Sequence, residues 1–152
     1  MSDAEAFYCL MVGSRSFSDY EFFVTKCDHL LRNWKNIIIV SGGAYGTDAL
    51  AKRYAADRHY AYKEFPADWD TYGKRAGYIR NRLMHEYISK HVNRGVIAFW
   101  DGKSRGTLQS FSLAESYSNP LRIIHVTVPY ISGSIIFKIM VLWYHKENVD
   151  NG

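Results

Sequence analysis

Cysteine is scarce in this chain: only Cys9 and Cys27 occur, too few for the disulfide framework that staples small secreted domains. Both read as buried, reduced residues, one in an apolar run and the other in the helix that should follow it. No Cys-x-x-Cys or His-x-x-x-His pair occurs among the two cysteines and six histidines, so no metal site is expected and no cofactor is implied. Proline appears three times, at Pro66, Pro120 and Pro129, each where a strand or loop can end. Repeats, low-complexity tracts and runs of like charge are missing, which leaves no internal linker. The longest apolar run, Ile135 to Tyr144, is interrupted by Lys138 and is far shorter than the roughly 20 residues needed to cross a bilayer. No membrane partner is therefore expected. The first residues, Met1 to Ala6, are acidic and carry no basic region before an apolar run, unlike a secretory signal, so the expected location is cytoplasmic.

What remains is a chain of 152 residues, 47% hydrophobic, the size of one domain with one core. Its formal net charge of +4 favours anionic partners without being large enough to demand nucleic acid. Aromatic residues make up 16%, enough to fill a core or to stack on bases.

Apolar runs alternate with helical patterns. Phe7 to Val12 reads as a buried strand, and Ser18 to Glu21 as a capping box opening a helix that carries Phe22, Phe23, Cys27, Leu30, Leu31 and Trp34. Ile37 to Val40 is the second strand, and Thr47 to Arg58 a helix opened by a Thr-Asp cap. Ala61 to Phe65 is a third strand, stopped by Pro66. A helix from Tyr72 or Lys74 to Lys90 has Ile79, Leu83 and Tyr87 at core spacing. Gly95 to Trp100, a helix from Thr107 to Tyr117 and a strand from Leu121 to Val128 complete the pattern. This alternation predicts an α/β fold: a Rossmann-like, doubly wound, mainly parallel sheet of about five strands with helices on both faces. The expected organisation is a flexible N-terminus (1–6), a core domain (7–130) and a short C-terminal extension (131–152). The extension is an extra strand or helix whose apolar residues make a homo-oligomer, a dimer or higher, the expected state.

Ligands bind such sheets at the carboxyl ends of the strands, so the loops that follow the strands carry the information. After the first strand stands Gly13-Ser14-Arg15, able to approach and donate to a phosphate or to form an ordinary turn. After the second comes Ser41-Gly42-Gly43-Ala44-Tyr45-Gly46-Thr47-Asp48, glycine-rich before a helix and suited to an anion. It is neither a Walker A sequence nor a dinucleotide fingerprint. Asp48 is a helix cap or an acceptor for a ribose or base. The segment from Pro66 to Gly77 reads as a rim loop. There Asp68 and Trp69 grip a sugar or anchor the loop, and Lys74 faces phosphate or solvent. Gly77, Arg80, Asn81 and Met84 form a second helical stripe, for a ligand or for a partner subunit. Trp100-Asp101-Gly102 leads through Ser104 to Gly106-Thr107, a second glycine-containing loop that opens a helix.

Taken in order, G-S-R (13–15), S-G-G-A-x-G-x-D (41–48), A-D-W (67–69), G-x-x-A-G-x-x-R-N-x-x-M (73–84) and A-F-W-D-G-x-S-x-G-T (98–107) resemble the YspA-related branch of the SLOG superfamily. The resemblance runs from about Phe7 to Val128. It implies a Rossmann-like fold and a pocket for a nucleotide or nucleotide-sugar ligand, lined by Gly13, Ser14, Arg15, Gly42, Gly43, Asp48, Arg80, Asn81, Gly106 and Thr107. Relatives include the DprA (Smf) proteins, which bind single-stranded DNA, and the LOG phosphoribohydrolases, which cleave nucleoside monophosphates. LOG enzymes carry a carboxylate shortly after their Gly-Thr, whereas Gly106-Thr107 is followed here by Leu108-Gln109-Ser110. The leading expectation is thus a nucleotide-binding or sensing domain with no catalytic residue assigned. The alternatives are an N-glycosidic nucleotide hydrolase and a DprA-like single-strand binder, the latter using Arg15, Lys74, Arg75, Arg80, Arg82, Lys103 and Arg105 as a basic lip.

Overall fold

The computed structural model describes residues 5–127 together with the short strand Leu142–Trp143. Five strands run parallel: β1 (Ala6–Gly13), β2 (Asn36–Ser41), β3 (Ala61–Glu64), β4 (Arg94–Trp100) and β5 (Leu121–His125). They lie in the order β3-β2-β1-β4-β5, and β6 (Leu142–Trp143) adds antiparallel to β5. Helices α1 (Tyr20–Leu30) and α2 (Thr47–Arg58) join the first three strands. A short α3 (Trp69–Tyr72), a 3-10 turn (Gly73–Arg75) and α4 (Ala76–Ser89) lead to β4, and α5 (Arg105–Ser116) leads to β5. The fold is the doubly wound α/β arrangement expected. Most of the 131–152 extension, the oligomer contact assigned to it, residues 1–4 and Val128 lie outside the described residues.

Strand alternation sorts the core into two layers, because successive side chains point to opposite faces. Cys9, Met11, Ile37, Ile39, Ile97, Phe99 and Ile124 pack with Phe23, Cys27, Ala51 and Tyr54 of α1 and α2. Leu10, Val12, Val40, Val96, Ala98 and Ile123 pack with Met84, Ile88 and Ala114 of α4 and α5. Strand order reverses at β1: β1 to β3 step one way across the sheet and the crossover through α4 then places β4 on the other side of β1. The edge strand β3 is exposed at Ala61, Lys63 and Glu64 and turns only Tyr62 towards the core, its charged residues suiting an edge.

Three local expectations are corrected. The N-cap of α1 is Asp19, whose carboxylate accepts from the Phe22 amide at 3.1 Å, in place of the Ser18 box. The N-cap of α2 is Gly46, with no side-chain cap, because the Thr47 hydroxyl donates to the Ser14 carbonyl and the Asp48 carboxylate accepts from the Ala44 amide. The third is the face of α4. Ala76, Arg80, Asn81, Met84, His85 and Ile88 are its buried residues, while Leu83, expected in the core, is 42% exposed and Ile79 and Tyr87 are only half-buried. The inward face is polar because the first half of α4 lies over the loops at the carboxyl edge of the sheet. Loop carbonyls and amides need partners there more than they need hydrocarbon.

Candidate functional site

Strand register brings the informative loops together. Gly13 at the end of β1 lies beside Phe99 of β4, and Ser41 at the end of β2 beside Glu64 of β3. The first loop is tied to its neighbours through Ser14, which is fully buried. Its hydroxyl accepts from the Asp101 amide at 3.0 Å, and its carbonyl accepts from the Thr47 amide at 3.2 Å and the Thr47 hydroxyl at 3.0 Å. One serine thus rivets the loops after β1, β2 and β4. Gly46 lets them nest: its φ of 70° is unfavourable for other residues, and a Cβ there would overlap the backbone carbonyl of Arg15.

Arg80 holds the site from beneath. It is only 8% exposed, and its Nη1 donates to the Gly42 carbonyl at 2.6 Å and the Phe65 carbonyl at 3.3 Å. Its Nε donates to Asn81 Oδ1 at 3.0 Å, leaving Nη2 without a hydrogen bond among the described residues. Burial lowers its pKa, and nearby Asp48 opposes that shift. Asn81 in turn donates to Gln109 Oε1 at 2.9 Å and to the Gly106 carbonyl, joining α4 to the start of α5.

Above Arg80 lies a cleft of about 500 Å³, lined by residues of all the informative loops except the first glycines after β2. Gly13, Arg15, Asp48, Trp69, Lys74, Gly77, Arg80, Asn81, Met84, Asp101, Ser104, Gly106 and Thr107 line it. A second cleft of about 460 Å³ adjoins it across Arg15, Trp69 and Arg80 and takes in Gly42 and Gly43. The remaining candidates support these walls. Ser14, Ser41 and Thr47 are buried, and the Ser41 hydroxyl faces the Asp48 carbonyl at 3.5 Å. Asp68 caps α3 by accepting from the Thr71 amide at 3.1 Å. Trp100 donates through its indole nitrogen to the Ser104 carbonyl at 3.2 Å, and Gly102 turns the loop at a φ of 84°.

The electrostatics are uneven. Arg15, Lys74 and Lys103 reach the cleft from exposed positions, and none makes a side-chain hydrogen bond or ion pair among the described residues. The carboxylates are already engaged. Asp48 accepts from the Ala44 amide at 3.1 Å; burial raises its pKa, a shift that this bond and Arg80 oppose. Asp101 accepts from the amides of Lys103 at 2.8 Å and Ser104 at 2.9 Å; burial pushes its pKa up, but these bonds outweigh it and leave the carboxyl more acidic than usual. Ser104 caps α5 through the Thr107 amide at 3.3 Å, and α5 points its amino end, with Gly106, into the cleft. At the floor, the buried Ser110 hydroxyl has no hydrogen-bond partner among the described residues. Among the described residues no group of three or more metal-ligating side chains gathers, and no helix is long and apolar enough to cross a membrane.

Residues 9–72 match the YspA, cpYpsA-related SLOG family. The chain is also 32% identical over 121 residues to the Gene 61 protein of Mycobacterium phage D29, an alignment spanning 74% of this chain and 91% of that protein. The chain belongs to the YspA, cpYpsA-related SLOG family. Among solved structures, DNA processing protein A (DprA) from Streptococcus pneumoniae is similar in fold, with a TM-score of 0.55 at 22% identity. That match covers 80% of this SLOG chain and 51% of the DprA chain, so the chain spans about half the length of that relative.

Sequence reasoning missed several lining residues. Ser16, Ala44, Tyr78 and Ser110 line the first cleft, and Tyr45, Glu64, Pro66 and Ala67 the second. Glu64 had a usable signal, since it closes a strand at the same sheet edge as the glycine loops. Tyr78 and Ser110 had none, because their positions depend on how α4 and α5 lie side by side.

Proposed function

We propose that this SLOG domain binds a small phosphorylated ligand of the nucleotide class in the cleft above Arg80. The observation that carries this reading is the trio of unpaired cations, Arg15, Lys74 and Lys103, around the amino end of α5. Cations that form no ion pair, beside a helix N-terminus, form a favourable seat for a phosphate. A volume of about 500 Å³ suits a nucleotide-sized molecule. Trp69, 51% exposed on the wall shared by both clefts, offers a face for a base.

Binding without turnover is the favoured form. Gln109 is neutral and engaged, accepting from Asn81 and donating to the Tyr78 carbonyl at 3.3 Å. Asp48 and Asp101 are held by loop amides. These engagements leave the first cleft no uncommitted carboxylate to steer water or steady a developing positive charge.

A second reading, single-strand binding, draws on the exposed rings of Tyr45, Trp69 and Tyr72 near exposed Lys74, Arg75, Lys103 and Arg105. One experiment separates the readings. Native mass spectrometry of the purified protein is followed by thermal-shift titration with nucleoside mono- and diphosphates, ADP-ribose and oligothymidylates of increasing length. A nucleotide at 100 times its Kd adds about 2.7 kcal/mol of stability, a rise of roughly 5–10 °C for a domain of this size. Such a rise, lost in Arg15→Ala and leaving the nucleotide intact, supports the first reading. Stabilisation by oligonucleotides alone, growing with length and falling steeply with salt, overturns it.

A further inference from the structure

The second cleft contains one carboxyl side chain that the phosphate seat does not use, Glu64. Glu64 ends β3, next to the strand whose carboxyl end opens the Gly42-Gly43 loop, and the parallel register sets it beside Ser41. Its Oε1 accepts from the Tyr62 hydroxyl at 2.8 Å and lies 3.9 Å from Lys52 Nζ. Its Oε2 has no hydrogen-bond donor among the described residues and lies against Gly43. Gly43 has a φ of 74°, and a Cβ there would run into this carboxylate, so glycine leaves the carboxylate its place in the cleft.

Charge placement separates the two clefts by chemistry. The first holds Lys74 and Lys103 together with Asp48 and Asp101, whose carboxylates are tied to loop amides; the second holds neither lysine and has Glu64, whose Oε2 is not so tied, with Arg15 and Arg80 on the boundary. A carboxylate in the second cleft repels phosphate and accepts from hydroxyls. In doubly wound sheets ligands lie outside the carboxyl ends of the strands, and an acidic residue at the end of a strand beside a glycine-rich turn can accept from ribose hydroxyls. Glu64 stands in that relation to the loop after β2.

From this arrangement we infer that Glu64 is a specificity residue that accepts hydrogen bonds from the vicinal hydroxyls of a ribose in the second cleft, so that the ligand is a ribonucleotide and its deoxy counterpart is excluded. This rests on the nucleotide reading of the cleft and sharpens it. The free Oε2 and the second cleft beyond Arg15 carry it.

Isothermal titration calorimetry tests it with ADP, GDP, CDP, UDP, the 2′-deoxy counterpart of the tightest binder and inorganic pyrophosphate, on wild type and Glu64→Gln. Glutamine keeps the shape and the Tyr62 contact, and matched melting temperatures establish that the variant is folded. A hydrogen bond to a charged acceptor predicts about tenfold or more tighter binding of the ribonucleotide than of its 2′-deoxy form in wild type. In Glu64→Gln the ribonucleotide should weaken about tenfold and the preference should vanish, with pyrophosphate binding undiminished. If ribo and deoxy forms bind wild type equally, the inference falls while the nucleotide reading stands. It falls likewise if Glu64→Gln removes a preference for guanine and leaves the sugar preference intact. If no nucleoside diphosphate binds and the monophosphates and ADP-ribose fail as well, both fall together.

Discussion

Replacing Arg80 with alanine should cost the protein its stability as well as its site, whereas replacing Arg15 should cost the site alone. Arg80 is buried, and its guanidinium satisfies the Gly42 and Phe65 carbonyls and Asn81 Oδ1 at 2.6, 3.3 and 3.0 Å. Alanine strands all three acceptors. A buried acceptor left without a donor costs about 1–3 kcal/mol, but these border a cleft and water can reach some of them. The expected loss is thus about 2–4 kcal/mol, or a fall in Tm of roughly 5–15 °C for a domain of this length. Arg15 is exposed and unpaired, so Arg15→Ala should fall within about 0.5 kcal/mol of wild type. Urea unfolding followed by circular dichroism measures both variants against wild type at one pH. If Arg80→Ala unfolds at the same urea concentration as Arg15→Ala, the guanidinium is not bracing the loops and the support assigned to α4 is wrong.

The remaining predictions concern the cleft, its protonation and its turns. Arg15→Ala and Lys103→Ala should each weaken binding of pyrophosphate or a nucleoside diphosphate by about tenfold, the loss of one charge-assisted contact; unchanged titration isotherms would place the phosphate elsewhere. His85 is fully buried, its Nε2 has no partner among the described residues, and burial pushes its pKa down to about 4 from 6.5. The unfolded chain therefore takes up this proton near pH 6.5 and the folded protein only near pH 4, so stability falls as pH drops through that window. The fall reaches about 2–3 kcal/mol by pH 4.5, and His85→Gln should show a smaller drop in urea midpoint between pH 7 and 4.5; an equal drop would show that other groups account for it. Gly46→Ala should lower stability by about 2 kcal/mol or more, because a Cβ there meets the Arg15 carbonyl at a φ of 70°; a thermal melt matching wild type would refute the nested-loop geometry.

The strands were legible because their residues are apolar in unbroken runs, which only a sheet covered on both faces accommodates, and the loops because glycine and small polar residues cluster after them. The end of β4 and the start of α5 could likewise be read from Trp100 to Thr107. Helix α4 could not be read this way. Periodicity marks two stripes on it, and hydrophobicity favours Ile79, Leu83 and Tyr87, yet the inward stripe includes Arg80, Asn81 and His85. A helix turns its polar side inward only where polar backbone awaits it, and that backbone belongs to Gly42, Phe65 and Gly106, far away in sequence.

The sequence by itself determined the alternation of strands and helices, the winding of the sheet and the edge on which the loops gather, because these follow from local periodicity and chain chirality. The tertiary structure decided which candidates face open space. Ser14, Ser41 and Thr47 became struts, Asp48 and Asp101 were tied to amides, and Glu64 was delivered to a second cleft beside Gly42 and Gly43. Those outcomes depend on contacts between residues distant along the chain, and only the packing of α4 and the register of the strands specify them.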